Sequence, residues 1–194
     1  YPWGHAYWST KWGERPSDKP PLPPGMDWDL WIGPAPMRPY HPAYHPLVWR
    51  CWWDFGVGMM GDRGVHTLDP VFYALELGAP TSIEATSCGL STETHPLANI
   101  VTYRFPARGE RPPVKLTWYD GLRAPRPDEL EEGRNMPDEG GSLFKGTKGK
   151  IVAGIYGESP RIIPEKLMQE AERPAKTMYP DRGPEQQLDD ENSR

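Results

Sequence analysis

The sequence predicts an α+β fold: an open, mostly antiparallel sheet with a helix packed on one face, preceded by a long arm rich in proline and tryptophan. Three observations carry this reading. Apolar residues recur at helical spacing in one central segment, and they alternate with polar residues in four later ones. From Tyr1 to Pro46, where eleven prolines fall, neither period is sustained. Half-buried alternating strands that follow a single helix favour an antiparallel sheet covered on one side.

The arm comes first. Proline is 25 of 194 residues and hydrophobic residues are 37%, so much of the chain is expected to be irregular. KPPLPPG (19–25) reads as extended, polyproline-like chain. Yet Trp3, Trp8, Trp12, Trp28 and Trp31 lie in the same stretch. Tryptophans in this number are anchors rather than linker residues, so residues 1–48 read as an ordered arm packed on the body. The body is expected over 49–165, as a substrate and catalytic domain. Residues 166–194 read as a polar tail that frays.

In the central segment (56–77), Val65, Leu68, Phe72 and Leu75 recur at i, i+3, i+7 and i+10, and Gly78 supplies a stop. Pro70 leaves two possibilities. Either the helix kinks there, or a second one starts with Asp69 as its cap and Pro70 in its first turn. Period two then governs TSIEATSCG (81–89), ANIVTYRF (98–105), VKLTWYDG (114–121) and SLFKGTKGKIVAG (142–154). Gly146 and Gly149 bracket a hairpin turn in the last of these. The polar stretch 123–141 reads as an insertion between strands.

Several function classes are disfavoured. A net charge of −5 with no Lys/Arg block gives no reason to expect nucleic acid. No apolar run is long enough to span a membrane as a helix. Cys51 and Cys88 are too few for a disulfide framework. The chain opens on Tyr1 without a signal-peptide pattern, so it reads as a piece of a longer protein. The cytoplasm is favoured, with any export signal placed upstream of residue 1.

The sharpest site candidate is GDRGVHTLDP (61–70). Asp62 and His66 stand four residues apart, on one helix face beside the apolar stripe. An imidazole exchanges protons near neutral pH, and a neighbouring carboxylate orients it as a base. The plainer reading makes Asp62 and Asp69 helix caps and His66 an ordinary polar residue; spacing alone favours it. Asp62, His66, His41 and His45 are also the candidate metal ligands. HPAYHP is broken by prolines, however, and no HExxH or cysteine pair is present, so no metal is expected.

YHPAYHPLVWRCWWDFG (40–56) places six aromatics in seventeen residues next to that pair. Tyr40, Tyr44, Trp49, Arg50 and Trp53 are the candidate substrate wall. Flat rings cover the apolar face of a sugar while the guanidinium binds its hydroxyls. Core packing is the alternative for each of them. GVGMMGDRG (56–64) is glycine-rich but follows no strand, which makes it a weak phosphate cradle. There is no GxSxG elbow.

The run GMDWDLWIGPAPMRPYHPAYHPLVWRCWWDFGVGMMGDRGVHTLDPVFYALELGAPTSIEA (25–85) resembles the C-terminal α/β domain of the Gfo/Idh/MocA oxidoreductases, in their planctomycete-type bacterial branch. KLTWYDG, GTKGKI and RIIPE continue the likeness to about residue 165. The resemblance implies a two-domain enzyme in which a Rossmann domain binds NAD or NADP. The domain seen here then supplies the substrate wall and often an oligomer interface. It implies that His66 accepts the proton of a sugar or polyol hydroxyl, with Asp62 beside it, while hydride passes to the nicotinamide. The glycine fingerprint and the Glu-Lys-Pro motif of such enzymes are both missing; PEKLM (164–168) does not replace the latter. The expected protein is therefore an NAD(P)-dependent sugar or polyol dehydrogenase, homo-oligomeric when intact and inactive as this chain alone. Two alternatives stand beside it: an NAD-dependent glycosidase of the same superfamily, and a non-catalytic sugar-binding or oligomerisation module.

Overall fold

The computed structural model describes residues 13–121, 126–137, 140–172 and 174. Trp3, Trp8, Trp12 and most of the expected tail lie outside the described residues. The fold is α+β, built on two three-stranded antiparallel sheets.

The stretch expected to be an extended arm contains one short helix, α1, at Trp28–Ile32. Asp27 starts it by accepting the Leu30 N–H at 3.0 Å, and Gly33 ends it at φ 57°. Five residues between prolines are too few to show a period, so sequence pattern does not reveal this helix. It buries Trp28 and Ile32 with Tyr44, Cys51 and Trp52, and Trp31, Tyr40 and Phe55 pack around them. Trp52, fully buried, donates its indole N–H to the Ala43 carbonyl at 2.8 Å. A 3₁₀ helix at Val48–Cys51 leads out of this aromatic core.

Helix α2 spans Gly58–Leu75 and runs through Pro70 without a restart. It stops at Glu76 in the left-handed conformation rather than at Gly78. Its buried stripe is Gly58, Met59, Gly64, Thr67 and Val71. Leu68, Phe72 and Leu75 are partly covered as expected, but Val65 faces solvent. The buried stripe is thus rotated away from Val65, toward Gly64, Thr67 and Val71.

Strands β1 (Ser82–Cys88), β2 (Ala98–Phe105) and β3 (Val114–Asp120) form the first sheet, with Ala85, Val101 and Trp118 in register. That side faces α2: Phe72 meets Phe105 edge-on at 5.5 Å, and the Tyr103 hydroxyl lies 3.4 Å from Met60 Sδ. Buried Asp120 accepts hydrogen bonds from Trp118 Nε1, the Asn99 backbone N–H and Asn99 Nδ2, at 2.5, 3.1 and 3.0 Å. Its charge is thus hydrogen-bonded, as burial requires. The other face carries Thr86, Ile100, Thr102, Thr117 and Tyr119 and is open, with Ile100 and Tyr119 exposed.

Strands β4 (Ser142–Lys145), β5 (Lys150–Ala153) and β6 (Arg161–Ile163) form the second sheet. Gly146 N–H bonds to the Gly149 carbonyl at 2.9 Å, closing the hairpin expected there. Part of the polar insertion folds back on this sheet, burying Leu130 with Val152 and Ile163. A short helix, α3 (Glu165–Glu170), follows β6.

Candidate functional site

Because α2 begins at Gly58, Asp62 lies one turn inside the helix and Asp69 lies in its interior, so neither is a cap. The Asp62 carboxylate turns toward arginines. Its Oδ1 accepts from Arg50 Nε at 3.0 Å, and its Oδ2 lies 3.7 Å from Arg63 Nε. Arg50 reaches it from the 3₁₀ helix, donates Nη1 to the Leu47 carbonyl at 3.3 Å and lies 4.4 Å over the Trp49 ring. The carboxylate and the imidazole share a helix face, but no hydrogen bond joins them.

His66 is exposed on the next turn. Its ring meets that of Tyr156 edge-on, with centroids 5.4 Å apart. The Tyr156 hydroxyl lies 3.5 Å from Arg63 Nη1. Pro70 has no N–H to give the His66 carbonyl four residues back, so the helix ladder is interrupted at this residue. Asp62, Arg63, His66 and Tyr156 thus form one polar cluster, extended by Arg50 toward the aromatic segment.

The five wall candidates separate. Tyr44 is buried, with Trp52 at 4.8 Å and Phe55 at 5.6 Å, and Tyr40 packs edge-on against Trp28 at 5.3 Å. Both belong to the aromatic core. Trp53 is half exposed and lies against His95 at a ring separation of 3.5 Å, with its indole N–H on the Ser91 carbonyl. Arg50 holds Asp62. Trp49 lines an open groove of about 330 Å³ together with Trp31, Ile32, Pro34, Ala35, Asp54 and Phe55. Asp54 is paired with buried Arg38, whose guanidinium lies 4.8 Å from the Phe55 ring. The groove therefore offers aromatic faces and one neutralised carboxylate, which suits an uncharged, hydroxyl-bearing ring.

Sequence reasoning missed Arg63, Tyr156 and the groove residues Trp31, Asp54 and Phe55. Asp54 and Phe55 lie inside the quoted aromatic run and were within reach. Tyr156 stands 93 residues from Arg63 in a loop, where no period or motif marks it.

His95 supports the start of α2. Its Nε2 donates to the Gly56 carbonyl at 3.0 Å, and burial lowers the pKa of its imidazole from the ordinary 6.5. Gly58, at φ 66°, lies directly against this ring: a Cβ there would sit 2.7 Å from His95 Cγ. A Cβ on Gly56 would sit 2.6 Å from Arg50 Cα. These glycines admit neighbouring protein rather than a pyrophosphate, so the glycine-rich stretch does not fit a dinucleotide. Among the described residues, no three His, Cys, Asp or Glu side chains gather to hold a metal. His41 instead accepts the Ala43 N–H on Nδ1 and faces Asp18 through Nε2. No described helix is long and apolar enough to cross a membrane.

Comparison with curated proteins returns no match. A model of the Gfo/Idh/MocA oxidoreductases, described as "Oxidoreductase family, C-terminal alpha/beta domain", matches residues 1–178. That span takes in the aromatic core, the Asp62–His66–Tyr156 cluster and both sheets. The chain belongs to the Gfo/Idh/MocA oxidoreductase family, as a C-terminal α/β domain.

Proposed function

We propose that this domain supplies the substrate surface and the proton acceptor of an NAD(P)-dependent sugar or polyol oxidoreductase. The exposed imidazole of His66 carries the reading. It stands in a cluster of polar side chains contributed by α2 and the loop after β5. His66 takes the proton of a substrate carbinol as that carbon is oxidised. Asp62 is a positioning residue for the cluster through Arg50 and Arg63, not a direct partner of the imidazole. The Trp49 groove takes the apolar face of the sugar, and Arg50 links that groove to the cluster.

NAD or NADP, held by a separate Rossmann domain, supplies the hydride acceptor. With the cofactor held there, this chain alone is not expected to turn over. In the intact enzyme the open sheet face, with Ile100 and Tyr119, serves as an oligomer contact.

His66→Ala in the intact enzyme tests the assignment. A general base contributes roughly 10²- to 10⁴-fold to a rate. The variant should therefore lose kcat on that scale while its unfolding midpoint stays unchanged. Retained kcat removes His66 from the mechanism.

A further inference from the structure

His66 has an exposed neighbour that folding alone does not explain. Tyr156 is 55% exposed, yet the turn that presents it is tightly wired. Its backbone N–H bonds to Glu158 Oε2 at 2.7 Å, Gly154 N–H to the Glu158 carbonyl at 2.9 Å, and Gly157 N–H to the Gly154 carbonyl at 3.1 Å. Gly157, at φ 78°, presses this turn onto α2: a Cβ there would lie 3.0 Å from Pro70 Cβ. Four residues before Pro70 on the helix is His66. The turn is thus fixed against the segment that carries the imidazole, with a large side chain held in water beside it.

The phenol is held near a cation but not used up by it. Its oxygen is 3.5 Å from Arg63 Nη1, at the long limit of a hydrogen bond. A phenol both donates and accepts, and a guanidinium donates. The exposed phenol oxygen is thus placed to bind a further oxygen, adjacent to the imidazole that receives a proton.

We infer that Tyr156 is a substrate-binding residue, holding a second substrate oxygen while His66 takes the proton from the hydroxyl on the neighbouring carbon. Within the sugar or polyol class already proposed, Tyr156 makes the site select for a hydroxyl on the carbon next to the one oxidised. This rests on the assignment of His66 as proton acceptor and adds a specificity determinant to it. A site built to bind a hydroxyl rejects the analogue that lacks it, because its own polar groups are left unpaired.

The test uses this chain, labelled on histidine and tyrosine ring carbons, with cyclohexane-1,2-diol and cyclohexanol as probes in NMR titrations. The diol is expected to shift both the His66 and Tyr156 ring resonances and to bind about tenfold more tightly than the mono-alcohol, the value of one hydrogen bond. Tyr156→Phe keeps the ring edge against His66 and removes only the oxygen, so it should bring the two probes to equal affinity. Equal affinities in the wild type, a diol preference that survives Tyr156→Phe, or a diol that leaves both rings unshifted would each overturn the inference. Loss of kcat in His66→Ala is read separately, so the base assignment can stand while this one falls.

Discussion

Arg50 and Asp62 form a hydrogen-bonded ion pair, Nε to Oδ1 at 3.0 Å, that ties the 3₁₀ helix to the second turn of α2. Both side chains are 26% exposed, so the pair is neither fully solvated nor buried. Arg63 approaches the other carboxylate oxygen. Asp62 thereby joins the aromatic segment to the helix bearing His66, and in the mechanism proposed above its effect on chemistry passes through position.

A double-mutant cycle checks that role. Arg50→Ala and Asp62→Ala should each lower stability by about 1 kcal/mol, with a coupling of about 0.5 kcal/mol or more in urea unfolding. Additive losses would mean that the contact contributes nothing. The carboxylate would then be free to serve His66 after all.

Adjacent tryptophans should differ sharply. Trp52 is fully buried and its indole N–H is bonded, whereas Trp53 is 49% exposed against His95. Trp52→Ala should cost about 3–5 kcal/mol, through cavity formation and an orphaned Ala43 carbonyl. Trp53→Ala should cost no more than about 1.5 kcal/mol, the scale of a single ring contact. Denaturant midpoints for the two variants decide it, and similar losses would place Trp53 in the core.

The strands were legible because each alternates cleanly, and the hairpin because glycines bracket its turn. Helix α1 was not, since one short turn between prolines leaves no period. Val65 was misplaced because the buried side of α2 runs through Gly64, Thr67 and Val71, a stripe that its apolar spacing does not mark. Within the candidate site, i to i+4 logic found Asp62 and His66 but assumed that they serve each other. The partner of Asp62 lies twelve residues earlier, on another element. Tyr156 reaches His66 through tertiary structure alone, which no local pattern encodes. Tyr40 and Tyr44 illustrate the opposite difficulty: they lie in an aromatic run next to the candidate site, yet both pack in the aromatic core.

Gly157→Ala probes the turn that presents Tyr156. An alanine at φ 78° is strained by about 1–2 kcal/mol, and its Cβ would crowd Pro70. The turn should lift from α2, weakening the ring contact between His66 and Tyr156. Loss of nuclear Overhauser effects between these rings, with the rest of α2 unchanged, is the expected outcome. Intact ring contacts would show that the turn tolerates a side chain.

His95 gives the fold an acid-side dependence whose sign follows from burial. The folded imidazole holds a proton less readily than the unfolded one, because its surroundings disfavour the charge. As pH falls, the unfolded chain takes up this proton first, so stability rises with pH in that range. The contribution is fully present above the unfolded value of 6.5 and is lost as pH falls through the lowered folded value. The hydrogen bond from Nε2 to the Gly56 carbonyl favours the protonated form, but burial outweighs it. His95→Gln keeps a donor and removes the titration. Stability measured against pH should therefore fall less steeply below 6.5 in the variant than in the wild type. Parallel curves would mean that the imidazole is as well solvated in the folded chain as in the unfolded one, and that the support of α2 by His95 does not depend on its charge.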